Sequence, residues 1–129
     1  MTARRPVLAG LALALMGGPA LARSWTMEEA ELYGMVGKMK AQPGKRAELI
    51  AILGGGTAEM PGCIAYLIAE DVKDPDGIWI TEIWDGKESH DASLQLPAVR
   101  EAIARGRPLI AGFETSVETR PVQSFVRKD

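Results

Sequence analysis

Among 129 residues there is one cysteine, Cys63, and one histidine, His90. A single thiol rules out an internal disulfide, so Cys63 is either a buried small hydrophobe or a free thiol. One His and one Cys within a chain do not make a soft His/Cys metal centre. No Gly-x-Ser-x-Gly nucleophile elbow is present. The one glycine cluster, Gly54-Gly55-Gly56, does not follow a strand as a dinucleotide fingerprint must. Aromatic residues amount to 5%. Cationic excess is also missing: the formal net charge is −2, which argues against a phosphate-backbone binder and so against nucleic acid as a partner.

No apolar run reaches the roughly 20 residues that span a bilayer. The longest, Val7 to Met16, follows Arg4 and Arg5 and ends in Gly17-Gly18-Pro19 before Ala20-Leu21-Ala22. A charged start, an apolar middle and small residues at a cleavage site are the grammar of a secretory signal. Residues 1–22 are therefore expected to be a leader cut after Ala22, giving a periplasmic or secreted protein with no stable membrane anchor. The paired arginines leave both the Sec and twin-arginine routes open.

What remains divides into a tail at 23–31, a domain at 32–122 and a polar tail at 123–129. Alternation predicts a first strand from Leu32 to Lys40. Gln42-Pro43-Gly44 is a turn. Lys45 to Met60 has helical spacing, with Ala47, Ile50, Leu53, Thr57 and Met60 as its expected stripe, and is expected to break or kink at the three glycines. Cys63 to Asp71 reads as a strand apolar on both faces. Asp74-Pro75-Asp76-Gly77 is a turn signature, and Ile78 to Trp84 completes a hairpin. Asp85 is expected to cap a short helix with Glu88 as its reciprocal partner. Pro97 opens another helix, buried along Val99, Ala102, Ile103 and Gly106. Phe113 to Val122 is the last strand. The order β-α-β-β-α-β predicts an α+β, ferredoxin-like subunit with both helices on one face of an antiparallel sheet. A strand apolar on both sides then needs cover on the other face, and a second copy of the chain supplies it most simply.

Four segments taken in order, Gln42-Pro43-Gly44-Lys45, Pro61-Gly62-Cys63, Glu82-Ile83-Trp84 and Leu96-Pro97-Ala98-Val99, resemble the antibiotic biosynthesis monooxygenase family, including its small quinol-monooxygenase-like members. The resemblance implies a dimeric α+β barrel with a pocket between sheet and helices. It also implies a cofactor-independent reaction, in which an electron-rich aromatic substrate is itself the reductant of dioxygen. Such a site needs an apolar pocket, a few hydrogen-bond donors and a base.

His90, the one side chain here that titrates near neutrality when unperturbed, is the candidate base; its plainer reading is a surface histidine. It is expected in the first turns of its helix, near the positive end of the dipole. Ser93 and Glu82 are the expected supporting catalytic residues. Glu82, an acid on a central strand, is costly to bury unless paired with Arg or Lys or used as a base. Trp79, Trp84, Tyr66 and Tyr33 are candidate substrate contacts, with the two tryptophans on opposite faces of one strand. Positions beside Leu94 and Pro97 that often carry histidine in the family hold Ser93 and Ala98 here. With Gly37 on the first strand and no helical Trp, haem degradation is disfavoured. The alternative to an oxygenase is a non-catalytic, small-ligand-binding or stress-related barrel of the same build; a purely structural assembly module is a weaker third reading.

Overall fold

A computed structural model describes residues 32–123. The expected leader, the 23–31 tail and residues 124–129 lie outside the described residues. Four strands are present: β1 (Tyr33–Ala41), β2 (Cys63–Glu70), β3 (Gly77–Trp84) and β4 (Ile110–Thr119). Helix α1 (Arg46–Gly56) joins β1 to β2. Helices α2 (Lys87–Ser93) and α3 (Pro97–Gly106), then a 3-10 turn at Arg107–Leu109, join β3 to β4. The sheet runs β2-β3-β1-β4, and every pair is antiparallel. This is the ferredoxin-like α+β arrangement the sequence predicts.

Period-2 alternation divides the sheet into two unlike faces. Ile78, Ile80 and Trp84 of β3 turn toward the helices and are buried. Ile78 and Ile80 cluster with Ala41 of β1 and Leu49 of α1, and Ile52 of α1 and Val99 and Ala102 of α3 are buried as well. The opposite face carries Leu67 and Val117, 62% and 49% exposed. Through the register these lie in one row with Thr81 and Val36.

Several local expectations are corrected. Helix α1 takes in the three glycines but ends at Gly56, the last of them, short of the expected Met60. Its buried line is Leu49, Ile52 and Gly56, not the Ala47-led stripe, and Ala47 is exposed. Gly56 is also a helix–helix contact, because a side chain there would collide with Ala102. Asp85 does not cap α2: the cap residue is Gly86, with no side-chain cap bond. Asp85 instead accepts a 2.6 Å bond from the Ser89 hydroxyl. The last strand begins at Ile110, earlier than Phe113, and carries register irregularities opposite Lys38–Ala41 that obscure its alternation.

Candidate functional site

The helix-facing side of the sheet changes chemistry near the start of β1. From Ile78 and Ile80, β3 passes to Glu82 and Trp84. The register sets Tyr33 opposite Trp84, and Met35 opposite both Glu82 and Glu118. On the far side of β3, Tyr66 stands opposite Glu82 and Cys63 opposite Trp84. One end of an otherwise aliphatic layer therefore collects two phenols, an indole, a thiol and two carboxylates.

Helix α2 lies over this end because the β2 entry is made small. Gly62 has φ +84, a left-handed backbone that glycine adopts without strain. Any side chain there would strike Ser89 and Asp85. The Asp85 amide donates to the Gly62 carbonyl at 2.9 Å and ties the start of the helical segment to β2. So held, α2 brings His90 down onto the aromatic rings. Its ring centroid is 5.3 Å from that of Tyr33 and 5.6 Å from that of Trp84, edge-on to the indole. The side chain is only 16% exposed.

The polar atoms form a chain. Trp84 Nε1 donates to Glu82 Oε1 at 2.8 Å. Glu82 Oε1 is 3.9 Å from His90 Nε2. His90 Nδ1 is 3.0 Å from Asp91 Oδ1, and Lys87 Nζ reaches Asp91 Oδ2 at 3.2 Å. The same ammonium stands 5.8 Å over the Tyr33 ring. Tyr33 donates its hydroxyl to Glu118 Oε2 at 2.7 Å.

Burial, and then the Glu118 carboxylate, push the Tyr33 phenol up to about 12. Burial, with Glu82 beside it, drives Tyr66 above the ordinary phenol range. The Cys63 thiol is raised for the same two reasons. His90 and then Lys87 hold Asp91 below its ordinary value. Both phenols are thus neutral hydrogen-bonding groups at physiological pH, and Asp91 is an anion.

Of the residues proposed from sequence, the fold gathers Tyr33, Tyr66, Glu82, Trp84 and His90 at one end of one face. Trp79 is on the other face, donating to Asp71 at 2.8 Å with Lys38 Nζ 5.9 Å over its ring. Ser93 is buried, but its hydroxyl donates to the His90 carbonyl at 2.6 Å rather than to the imidazole. Glu82 pairs with an indole and an imidazole, not with the Arg or Lys expected. His90 stands in the last turn of α2, not the first, so the expected dipole argument does not apply to it. Cys63 is half-buried, with its sulfur 3.5 Å from the Ala65 carbonyl.

Sequence reasoning passed over Asp91, Lys87 and Glu118. The Lys87–Asp91 pair has a readable i, i+4 spacing. Glu118 has no local signal, because it reaches the site only through the β1–β4 register. A separate groove of about 310 Å³ between α1 and α3, lined by Ile52, Gly56, Ala98 and Ala102 among others, belongs to the helix surface and touches none of these groups. Among the described residues no cluster of three or more His, Cys, Asp or Glu could hold a metal ion.

The model of the antibiotic biosynthesis monooxygenase family matches residues 32–105, from the start of β1 into α3. The chain belongs to that family. A Chloroflexus aurantiacus J-10-fl protein that carries the antibiotic biosynthesis monooxygenase name is 57% identical in sequence. Its crystal structure superposes with a TM-score of 0.73 over 74% of this chain and 98% of that one. Two further structures bearing the same family name share the fold at low identity. One, from Caulobacter crescentus CB15, is 19% identical with a TM-score of 0.64, over 78% of this chain and 99% of that one. The other, from Bacteroides thetaiotaomicron VPI-5482, is 12% identical with a TM-score of 0.68 over the same shares. No curated protein matches the chain. The described domain is thus an antibiotic biosynthesis monooxygenase domain, and its helix-facing cluster at the Trp84 end is the place to look for that family's chemistry.

Proposed function

We propose that this family member is an exported, cofactor-independent monooxygenase that oxidises a quinol or polyphenol with dioxygen, working as a homodimer. The observation that carries the reading is the setting of the chain's one imidazole: His90, set against the Tyr33 and Trp84 rings, with Nε2 3.9 Å from Glu82. Aromatic rings beside the imidazole suit a flat aromatic substrate, and the Tyr66 hydroxyl, on the same sheet face, is a further polar group.

His90 Nε2 takes the substrate's hydroxyl proton, and Glu82 and Asp91 flank the imidazolium that forms. The electron-rich phenolate passes an electron to dioxygen. Radical recombination then forms a carbon–oxygen bond at a ring carbon, and the resulting peroxide loses water. The ring gains one oxygen atom, and the two hydrogens it gives up leave with the second oxygen atom. All four electrons come from substrate, so the balance needs no further reductant. Ser93 supports the site by closing the turn that carries His90. Trp79 serves the opposite face.

The homodimer reading rests on the sheet face that none of the described helices covers, where Leu67 and Val117 are exposed; each such side chain fully buried contributes roughly 1.5–3 kcal/mol. Light scattering is expected to give twice the chain mass for wild type, and that of a monomer for Leu67→Lys. Export rests on the leader grammar of residues 1–22; an N-terminus at Arg23 in periplasmic material checks it.

The reaction itself is tested with ¹⁸O₂ and a quinol such as menadiol. The expected product carries one labelled oxygen, at a rate above that of the uncatalysed control. Wild-type protein that leaves the rate and the label at the control level contradicts the assignment and favours simple ligand binding.

A further inference from the structure

We propose that Asp91 is a positioning residue: it fixes the neutral His90 imidazole as its Nδ1–H tautomer and leaves Nε2 bare, facing Glu82. The catalytic consequence rests on the reading above, but the tautomer does not.

His90 Nδ1 and Asp91 Oδ1 are 3.0 Å apart, a hydrogen-bond distance. Were Nδ1 without a proton, two lone pairs would face each other at that distance. At the other side of the ring, 3.9 Å separates Nε2 from Glu82 Oε1, too far for a direct hydrogen bond. An Nε2–H tautomer would forfeit the good bond and gain none in return. The bond made by one ring nitrogen decides which nitrogen carries the proton, and among the described residues only Nδ1 makes one.

Asp91 is itself secured. Lys87, one turn earlier on α2, reaches both its carboxylate oxygens, at 3.2 and 3.4 Å. The groups facing the imidazole are therefore Glu82 and Tyr33 from the sheet, and Asp91 from its own helix with Lys87 behind it. The consequence is a pair of acceptors, bare Nε2 and Glu82 Oε1, 3.9 Å apart. A phenol can give its one O–H proton to either, and an aryl ether has none to give. Because Asp91 lies outside the ring stack and is half exposed, it acts through His90 rather than by touching substrate.

Untagged protein has a single imidazole, so a long-range ¹H–¹⁵N spectrum contains one pair of ring nitrogens to assign. With the imidazole neutral, wild type is expected to show a pyrrole-type Nδ1 and a pyridine-type Nε2. Asp91→Ala is expected to move the proton toward Nε2. Asp91→Asn, whose amide carbonyl still accepts, is expected to keep it on Nδ1. In quinol turnover, Asp91→Ala should lower kcat on the order of tenfold with KM nearly unchanged, and Asp91→Asn should recover most of the loss; the fall is a fraction of what general acid–base catalysis supplies. An Nε2–H wild type, or an Asp91→Ala spectrum identical to wild type, overturns the assignment. The expected tautomer with fully active Asp91→Ala overturns the positioning role. The expected tautomer in a wild type that turns over no quinol overturns the oxygenase reading and leaves the tautomer standing.

Discussion

Trp79 and Trp84 stand near the two ends of β3, and each donates its indole N–H to a carboxylate at 2.8 Å. Around Trp79 every partner is satisfied. Asp71 accepts from Trp79 and from the amides of Lys73 and Asp74, and Lys38 approaches it at 3.5 Å. Lys38 and Lys40 both pair with Asp74. The Arg46 guanidinium donates to the carbonyls of Asp71 and Asp74. Around Trp84 the carboxylate of Glu82 has the indole on one side and, on the other, an imidazole at 3.9 Å. The same indole–carboxylate bond thus occurs once in a closed network that fastens a turn and once beside an imidazole too distant to bond the carboxylate directly. Unused hydrogen-bonding capacity, rather than residue type, separates the candidate-site end of the strand from the turn end.

The comparison breaks most severely at Trp84. Trp84→Ala removes a fully buried indole and is expected to cost about 3–5 kcal/mol in denaturant unfolding, whereas Trp79→Ala, half-buried, should cost about 1 kcal/mol. A gentler pair isolates the hydrogen bond. Trp84→Phe strips the partly buried Glu82 of its donor, at roughly 1–3 kcal/mol. Trp79→Phe leaves Asp71 with two amides and should cost less than about 1 kcal/mol. Equal losses in the two Phe variants would erase the distinction between the two ends.

The closed network should also write itself into the acid limb of stability. Lys40, then the Asp76 amide, holds the Asp74 carboxyl down to about 2, and Asp71 lies lower still, held first by the Trp79 indole. A carboxylate depressed in the folded state contributes stability above the ordinary carboxylate range and loses it as pH falls toward its folded value. Stability should therefore decline from about pH 4 downward, and Asp74→Asn should flatten that limb. At the other end of the strand the effect is on the alkaline side. Tyr33 and Tyr66 are the chain's only tyrosines and both are raised. Native protein near pH 10 should show little tyrosinate absorbance, where unfolded chain shows about half. Glu118→Gln should bring Tyr33 back toward that range, the smallest of these shifts.

The order and faces of the elements were legible from local pattern alone: β3 alternates cleanly, Asp74-Pro75-Asp76-Gly77 marks its hairpin, and α3 buries Val99, Ala102 and Gly106 much as its spacing implies. The α1 stripe was misread because Gly56 looks like a defect in sequence and is a helix–helix contact in space. The α2 cap was misread because Asp85 spends its carboxylate on Ser89. At the site, His90, Glu82 and Trp84 were readable as types in plausible places, since two share a strand face and the third follows on the next helix. Their distances were not, and neither was the role of Glu118, which depends on a strand pairing across most of the domain.

Oxygen consumption with a quinol substrate, comparing wild type with His90→Ala and subtracting autoxidation, tests the central claim most directly. The account predicts uptake by wild type and a fall of at least about tenfold in the variant, equivalent to about 1.4 kcal/mol of transition-state stabilisation. An active enzyme whose rate is the same with and without the imidazole would contradict it.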